Sequence, residues 1–572
     1  MSLMSRGADR LTSLQPLVAP LFASMRSRAA IVVALHAAAF LVLCLTESEP
    51  YHFALFALAW GLMNFAWLVV LGRPGMAAAL SLLLVCAIIG LSLFKMSITW
   101  ATLSFFDFVI VDPDTFRFLT DTFPRLRLEL PLAALVIALL LVAVWRLDPF
   151  TVRRRVSMLG GTACLAALSV LSLAVPELPN EPFQGINHVS NFIRSGVTSV
   201  VEYYSHGFID ADAAGTAPAL PVAAQSCHPA ARLPHIIMVL DESSFDITAA
   251  PGIKVPPDYA RHFQSFDGKQ RALAVEATGG PTWYAEYSVL TGLSPRSFGR
   301  FMFFVSRIAA GHVRRGLPQA LRECGYRTFS LYPESGTFMS ARRFHTTAGI
   351  EHFVDASEMH AGHIEPDSFY FDQVRETIAR QKGDGPLFIF SYVTANHFPW
   401  TPPYRPELTP GWKPLGNGED VDEYIRRQTM SARDYAGFLA RLKQEFPGEP
   451  FLLVRFGDHQ PWISADVLEP NRSDQTIARE ISEFDPRYFT TYYAIDAVNF
   501  QPVDVSSALE RLDVAYLPLV IEEAAGIPHD ATFAEQKRIL QRCKGVFYRC
   551  ADGAEARRFN RMLIDAGLIK GL

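Results

Sequence analysis

The chain of 572 residues is half hydrophobic, only 19% charged, and carries a net charge of −5. Soluble domains usually reach about 25% charged residues, so the deficit argues against a soluble protein throughout, and the acidic balance argues against nucleic acid as the main partner. The deficit is local: residues 29–176 hold most of the apolar runs, whereas 230–572 read like a soluble protein.

Five segments, roughly 29–47, 53–72, 76–94, 129–145 and 157–175, come first in chain order. Each approaches the length of about 20 apolar residues that a membrane-spanning helix needs. No small-residue cleavage pattern follows the first, so it reads as an anchor. Arginines set the orientation. Arg6, Arg10, Arg26 and Arg28 precede the first span, Arg73 follows the second, and Arg153, Arg154 and Arg155 lie between the fourth and fifth. The loop "TESEP" after the first span is acidic. The N-terminus is therefore expected in the cytoplasm and everything beyond about residue 176 outside it. In "FRFLTDTFPRLRLEL", Arg117, Arg125 and Arg127 fall on the expected outer side among aromatic residues, a mixture suited to a helix lying on lipid headgroups.

Residues 177–233 read as a linker with room for interfacial helices, from the proline-rich "VPELPNEPF" and the small-residue stretch "IDADAAGTAPALPVAAQS". A packed domain is expected over 234–530, with a C-terminal helical extension over 531–572. Cys227, Cys324, Cys543 and Cys550 lie in the exported part, an even number that permits disulfides. Cys543–Cys550 is the expected pair, and Cys324 can equally be a buried thiol.

Four apolar runs in that domain share one arrangement. "HIIMVL" leads into Asp241-Glu242, "YRTFSL" into Tyr332, "PLFIFSYV" into Thr394-Ala395-Asn396-His397, and "PFLLVRF" into Gly457-Asp458-His459. Short continuous hydrophobic runs suit strands buried on both faces of a parallel sheet flanked by helices. In such sheets ligands bind beyond the carboxyl ends of the strands, which is where these polar residues cluster. Glu242, Asp458 and His459 arriving at one sheet edge would offer a divalent metal two carboxylates and an imidazole.

"GGPTWYAEYSVLTG" supplies the remaining element. Trp283, Tyr287 and Leu290 recur at helical spacing, so a helix is expected over 281–291, with Pro281 as its first residue and its end at Gly292. Thr282 then lies in the first turn, where free N–H groups and the helix dipole favour negative charge. A metal held beside it would lower the pKa of its hydroxyl and make it a nucleophile. Thr278 is a second candidate; Ser288 and Thr291 are deeper in the helix. His397 in "TANHFPW" can protonate a leaving group or bind a phosphate oxygen. His345 and the Arg342-Arg343 pair could face an anionic substrate.

These motifs in this order, "LDESSFD", "GGPTWYAEYSVLTG", "TANHFPW" and "FGDHQP", after five spans and a linker, resemble the membrane-anchored, sulfatase-like phosphotransferases of the alkaline phosphatase superfamily. The groups most alike are the lipoteichoic acid synthase-like phosphoglycerol transferases and the phosphoethanolamine transferases. The resemblance covers 234 to about 500. It implies an α-helical membrane domain followed by an α/β sulfatase-like extracytoplasmic domain in a bacterial inner membrane. It also implies one divalent ion, Mn or Zn with Mg as a further option, on Glu242, Thr282, Asp458 and His459. Thr282 and His397 would be catalytic, and His397, Arg342, Tyr332 and Asn396 would face substrate. The implied activity transfers phosphoglycerol from a membrane phospholipid such as phosphatidylglycerol to a periplasmic glycan or glycolipid through a phosphothreonine. Phosphoethanolamine transfer from phosphatidylethanolamine to lipid A or a glycan is the alternative, as is a phosphodiesterase or phosphatase using the same site. A third class, a silent binding protein, fits the intact residue set poorly. The chain departs from sulfatases, which need Cys or Ser in C/S-x-P-x-R where it has Thr282-Trp283-Tyr284-Ala285-Glu286. It also places Tyr332, Met339 and Ala341 where lipoteichoic acid synthases hold glycerol phosphate with His, Trp and Arg. Asp241 before Glu242 could support a second metal or cap the strand end.

The orientation is testable. A reporter active only outside the cytoplasm should give signal when fused after residue 176 and none when fused in the loop at 148–153; the reverse pattern would invert the assignment.

Overall fold

The computed structural model describes residues 15–572 apart from 100, 112, 124, 176–180, 182–183, 216–217, 221–226, 228–231 and 363. Arg6 and Arg10, and part of the expected linker, lie outside the described residues. The chain divides into two compact units, one of residues 1–111 and 119–202, the other of 112–118 and 203–572.

In the first unit five helices contain stretches long and apolar enough to cross a membrane: Arg28–Thr46, Glu49–Leu71, Pro74–Ser97, Leu126–Leu147 and Arg154–Ala174. They overlie the five segments expected from the sequence. Leu126–Leu147 has no buried residue, so its leucines and valines face outward, as apolar side chains do when lipid is the solvent. Leu55, Phe56 and Ala59 of the second span pack against Val85, Ile88 and Leu168 of the third and fifth. The helix His188–His206, inside the stretch expected to be a linker, joins that cluster through Val189, with Phe192 packed against it. Its start is pinned by Glu47, whose carboxylate accepts the Val189 N–H at 3.0 Å; a negative charge is favoured at a helix N-terminus.

The second unit is built on one eight-stranded sheet. Its strands are β1 (His235–Asp241), β2 (Arg271–Ala274), β3 (Arg327–Leu331), β4 (His352–Val354), β5 (Leu387–Val393), β6 (Phe451–Gly457), β7 (Thr490–Val498) and β8 (Arg511–Asp513). The order is β4-β3-β5-β1-β6-β7-β2-β8, and β7 alone in this sheet runs against its neighbours. The four apolar runs read from the sequence are β1, β3, β5 and β6, the adjacent parallel strands of the middle. Every residue of β1, β5 and β6 is buried.

Three helices matter for the site: α1 (Thr282–Thr291), α2 (Asp367–Gln381) and α3 (Glu419–Glu445). Ile237, Val239, Ile389 and Leu453 on one sheet face pack against Tyr370, Phe371 and Val374 of α2 and Phe438 and Leu442 of α3. Each such aliphatic side chain contributes about 1.5–3 kcal/mol on burial. Because a one-residue slip would turn the whole set to the wrong face, this layer also fixes the strand register.

Helices α4 (Leu517–Ala525) and α5 (Ala531–Cys543) belong to the same compact unit as the sheet. Buried Arg315 joins α5 to the end of α1. Its guanidinium donates to the Thr291 carbonyl, to Thr532 Oγ1 at 3.1 Å and to Gln536 Oε1 at 2.6 Å, and lies 4.0 Å from the Phe533 ring centre. Gln536 Nε2 in turn donates to the Gly292 carbonyl at 2.7 Å. A cation among the last carbonyls of a helix suits its dipole. Cys543 and Cys550 form the expected disulfide. Cys324, left open between thiol and bridge, pairs with Cys227 across 97 residues of sequence.

His529 stands between two buried acids of α4, with Nδ1 at 2.7 Å from Glu522 Oε2 and Nε2 at 3.1 Å from Glu523 Oε1. Burial opposes the imidazolium, but the two carboxylates raise its pKa to about 9. A folded pKa above the ordinary value near 6.5 means that the contribution is complete below pH 6.5 and is lost as pH rises through 9. Between pH 6.5 and 9 the melting temperature should therefore fall roughly 2–5 °C further in the wild type than in His529→Gln; parallel pH profiles would rule out the clamp.

Candidate active site

The middle of the sheet levels the site residues. Asp241 is in register with both Val393 of β5 and Gly457 of β6, so the next residues, Glu242, Thr394 and Asp458, leave the sheet side by side. Gly457 permits this, because a Cβ there would overlap the Ser244 carbonyl oxygen. Ser243 takes a left-handed φ of 55°, a strained conformation for a non-glycine residue. In that turn its N–H donates to Asp458 Oδ1 at 2.9 Å, and its hydroxyl donates to Glu242 Oε1 at 2.8 Å.

Glu242, Asp458 and His459 offer carboxylate and imidazole atoms that all lie within 4.8 Å of one another, and all three residues are buried. His459 Nδ1 sits 3.0 Å from the Gln460 carbonyl, which makes Nδ1–H the donor and directs the lone pair through Nε2. That Nε2 is 3.3 Å from both Glu242 Oε1 and Asp458 Oδ2. His459 Nε2 and Asp458 Oδ2 are buried without a hydrogen-bond partner. Orphaned, converging donor atoms of two carboxylates and one imidazole are what a divalent cation requires, so the residues fit the implied metal.

Their titration reflects the same crowding. Burial, followed by the Glu242 charge, pushes Asp458 up to about 7. Burial also disfavours Glu242 as an anion, but His459, 3.3 Å away, lowers it to about 2. For His459 burial opposes protonation, and the Asp458 and Glu242 carboxylates win, raising it to about 9. The protein itself thus draws one positive charge into the space between the acids.

Thr282 joins this cluster: its Oγ1 donates to Glu242 Oε2 at 3.2 Å. Pro281 is the cap rather than the first helical residue, and Thr282 opens α1. The Thr282 and Tyr284 N–H groups already bond the Gly280 and Pro281 carbonyls, at 2.8 and 3.0 Å. The helix start therefore supplies its dipole more than a set of empty donors. Ser288 and Thr291 are buried and donate to the Tyr284 and Tyr287 carbonyls at 3.1 and 2.6 Å, so neither reaches the cluster. Thr278 forms a parallel bridge with Gln460. With the Gly279 N–H on the Gln460 carbonyl at 2.8 Å, that bridge zips the loop before Thr282 onto the loop after His459.

His397 follows β5, and its charge acts on Glu242. Its Nδ1 lies 2.6 Å from the Phe398 carbonyl, which makes Nδ1–H the donor. Arg427, which sequence reasoning missed, braces this loop from beneath. Fully buried, it donates to the His397 and Pro399 carbonyls, each at 2.8 Å, and to Glu423 at 2.7 Å.

The remaining candidates are placed differently. Asn396 is buried and donates to Gln428, whose amide reaches Ser244 Oγ at 2.7 Å. Tyr332 is buried against Tyr392 and Phe353; burial, then the charges of Glu286, Glu334 and Glu242, hold its phenol well above the ordinary range. Arg342 donates to the Phe353 carbonyl at 2.8 Å and to Asp355 and Glu358 at 3.0 and 2.7 Å. His345 is fully buried, between Ser330 at 3.1 Å and Glu286 of α1 at 3.4 Å. Met339 and Ala341 are buried. Asp241 accepts His262 Nε2 at 2.9 Å and the Tyr492 hydroxyl, and among the described residues it is not part of the metal-type group.

Residues 271–481 match the Sulfatase family, a span that includes Thr282, His397, Asp458 and His459 and leaves Glu242 outside. A Rhizobium meliloti (strain 1021) protein, provisionally named a cyclic beta-1,2-glucan modification protein, is 23% identical over 369 residues, or 62% of this chain. The match spans 53% of that relative, about half its length. Among solved structures, the Streptococcus pyogenes phosphoglycerol transferase GacH in complex with sn-glycerol-1-phosphate is similar at 16% identity and a TM-score of 0.46, over 59% of this chain and 87% of its own. The lipooligosaccharide phosphoethanolamine transferase A (EptA) of Neisseria meningitidis gives 12% and 0.41, over 84% and 96%. Within the span that matches the Sulfatase family, residues 282–286 read Thr-Trp-Tyr-Ala-Glu, without the C/S-x-P-x-R pattern expected of a sulfatase.

Loss of an outer-shell group already costs about 10–100-fold in metal affinity. The double variant Glu242→Ala, Asp458→Ala is therefore expected to lose bound divalent metal, measured by elemental analysis of the purified protein; metal content equal to wild type would remove the site.

Proposed function

We propose that the chain is a membrane-anchored, metal-dependent phosphotransferase that moves a phosphoglycerol group from a membrane phospholipid to a glycan or glycolipid. The observation that carries the reading is the convergence of Glu242, Asp458 and His459 on the Thr282 hydroxyl at the start of α1. The five apolar helices support a lipid donor, and the name of the Rhizobium relative supports a glucan acceptor. Export of the sulfatase-family domain from an inner membrane, and the pairing of Mn or Zn with the site, are parts of the same proposal.

Glu242, Asp458, His459 and Thr282 would hold the cation. When bound, it supplies positive charge that lowers the pKa of the Thr282 hydroxyl and offsets charge on the phosphoryl oxygens. Thr282 Oγ gives up its proton to solvent and attacks the phosphorus of the donor, the bond from phosphorus to the glycerol oxygen of diacylglycerol breaks, and protonated His397 delivers the proton that oxygen needs. In the second half, the acceptor hydroxyl attacks the phosphothreonine, His397 accepts its proton, and Thr282 Oγ leaves. The buried braces on Asn396 and Arg427 hold the His397 loop still through both halves.

Incubation with labelled phosphatidylglycerol, and separately with labelled phosphatidylethanolamine, reads the transferred group directly. Thr282→Ala should abolish the covalent adduct and reduce diacylglycerol release by about 10⁴-fold or more, while Thr282→Ser retains both in part. Unchanged release from Thr282→Ala would sink the nucleophile assignment. Label appearing only in free headgroup, with acceptor glycan present, would favour the phosphodiesterase reading.

A further inference from the structure

Among the described residues between 234 and 530, the large exposed hydrophobic side chains are Phe266, Trp462 and Val503. Trp462 is the one that stands beside the reacting residues. It lies three positions after His459, two after Gln460, and is 41% exposed. Its indole is not loosely held. It lies on the backbone of Gly279, where φ is +70° and an added Cβ would come within 2.6 Å of the ring. Gly279 is itself fastened to Gln460 by the 2.8 Å N–H bond, in the zipper that leads to Thr282. One ring face is thus backed by glycine while the side chain remains open to solvent. Among the described residues the indole N–H meets no acceptor.

Its neighbours in sequence do not extend it into an apolar groove. Ile463 and Val467 pack inward, against the core cluster of Phe245, Tyr424 and Tyr492. An acyl chain needs a continuous apolar track, and a single flat ring does not provide one. A rigidly backed, solvent-facing indole with an unused edge donor suits a ligand with a flat apolar face and hydroxyls around its rim. That description fits a sugar ring, which can stack its C–H face on the indole and accept the N–H at its edge.

We propose that Trp462, held flat by Gly279, is the stacking platform for a pyranose ring of the acceptor, positioning one of its hydroxyls toward Thr282. This rests on the phosphotransferase reading and names the substrate class for its second half-reaction: a glucan or other pyranose-containing glycan, bound by stacking as well as by hydrogen bonds.

The test uses full-length protein in detergent, a β-1,2-linked gluco-oligosaccharide as probe, and the variants Trp462→Ala and Trp462→Phe. Melting temperatures establish that each variant folds. The loss in Trp462→Ala should fall on the acceptor KM, raised about tenfold, rather than on diacylglycerol release measured without acceptor. Trp462→Phe should recover most of the affinity. Probe binding is also measured calorimetrically on Thr282→Ala, with and without Trp462→Ala, which needs no turnover. Binding that depends on Trp462 without any transfer would keep the platform and overturn the transferase reading. Transfer with an acceptor KM unmoved by Trp462→Ala would overturn the platform and keep the transferase, and an equal loss in both half-reactions would also overturn it. So would failure of the probe to bind the Thr282→Ala protein.

Discussion

Two carboxylates, Glu242 and Asp458, are buried within reach of each other and of one imidazole, and the rest of the catalytic unit is arranged around that repulsion. Like charges this close in a dry interior disfavour the folded state unless a positive charge sits between them. What holds them together is remote from them: β5, β1 and β6 are buried along their whole length and locked in register by the layer beneath α2 and α3. The hydrophobic burial of the middle strands is thus converted into electrostatic pressure at their ends. His459 relieves part of it, and the orphaned Nε2 and Oδ2 atoms mark where a cation would relieve the rest.

The middle of the sheet was legible in the sequence because strands buried on both faces are written as unbroken apolar runs. The outer strands were not: β2, β4 and β8 are three or four residues long. β7 interrupts its apolar pattern with Asp496, which pairs with the Tyr435 hydroxyl at 2.9 Å. The metal-type trio was legible for the same reason as its strands, since each member directly follows a run. Thr282 was separable from Ser288 and Thr291 by helix position alone. The residues that fared differently, Asn396, Arg342 and His345, have partners far away in sequence or on a neighbouring turn. No local pattern reveals that Gln428, the Asp355–Glu358 pair or Glu286 will meet them.

Buried arginines were the least legible part of the design. Composition places arginine on the surface, yet Arg427 and Arg315 are almost wholly enclosed. Each spends its guanidinium largely on backbone carbonyls, which no sequence signal announces. Arg427 fixes the loop that carries His397, and Arg315 closes the end of the helix that Thr282 begins. The His397 loop and the end of α1 are therefore both steadied by buried guanidinium groups. The C-terminal segment meets the end of that helix through Arg315 and Gln536, although it lies beyond the stretch that matches the Sulfatase family.

The contact between Gly279 and Trp462 has a consequence for how this chain can change. Any side chain at 279 would collide with the indole as it now lies, and a small residue at 462 would leave the glycine loop without its cover. The two positions are sterically coupled although they are far apart along the chain. Replacing either residue would therefore call for a compensating change at the other.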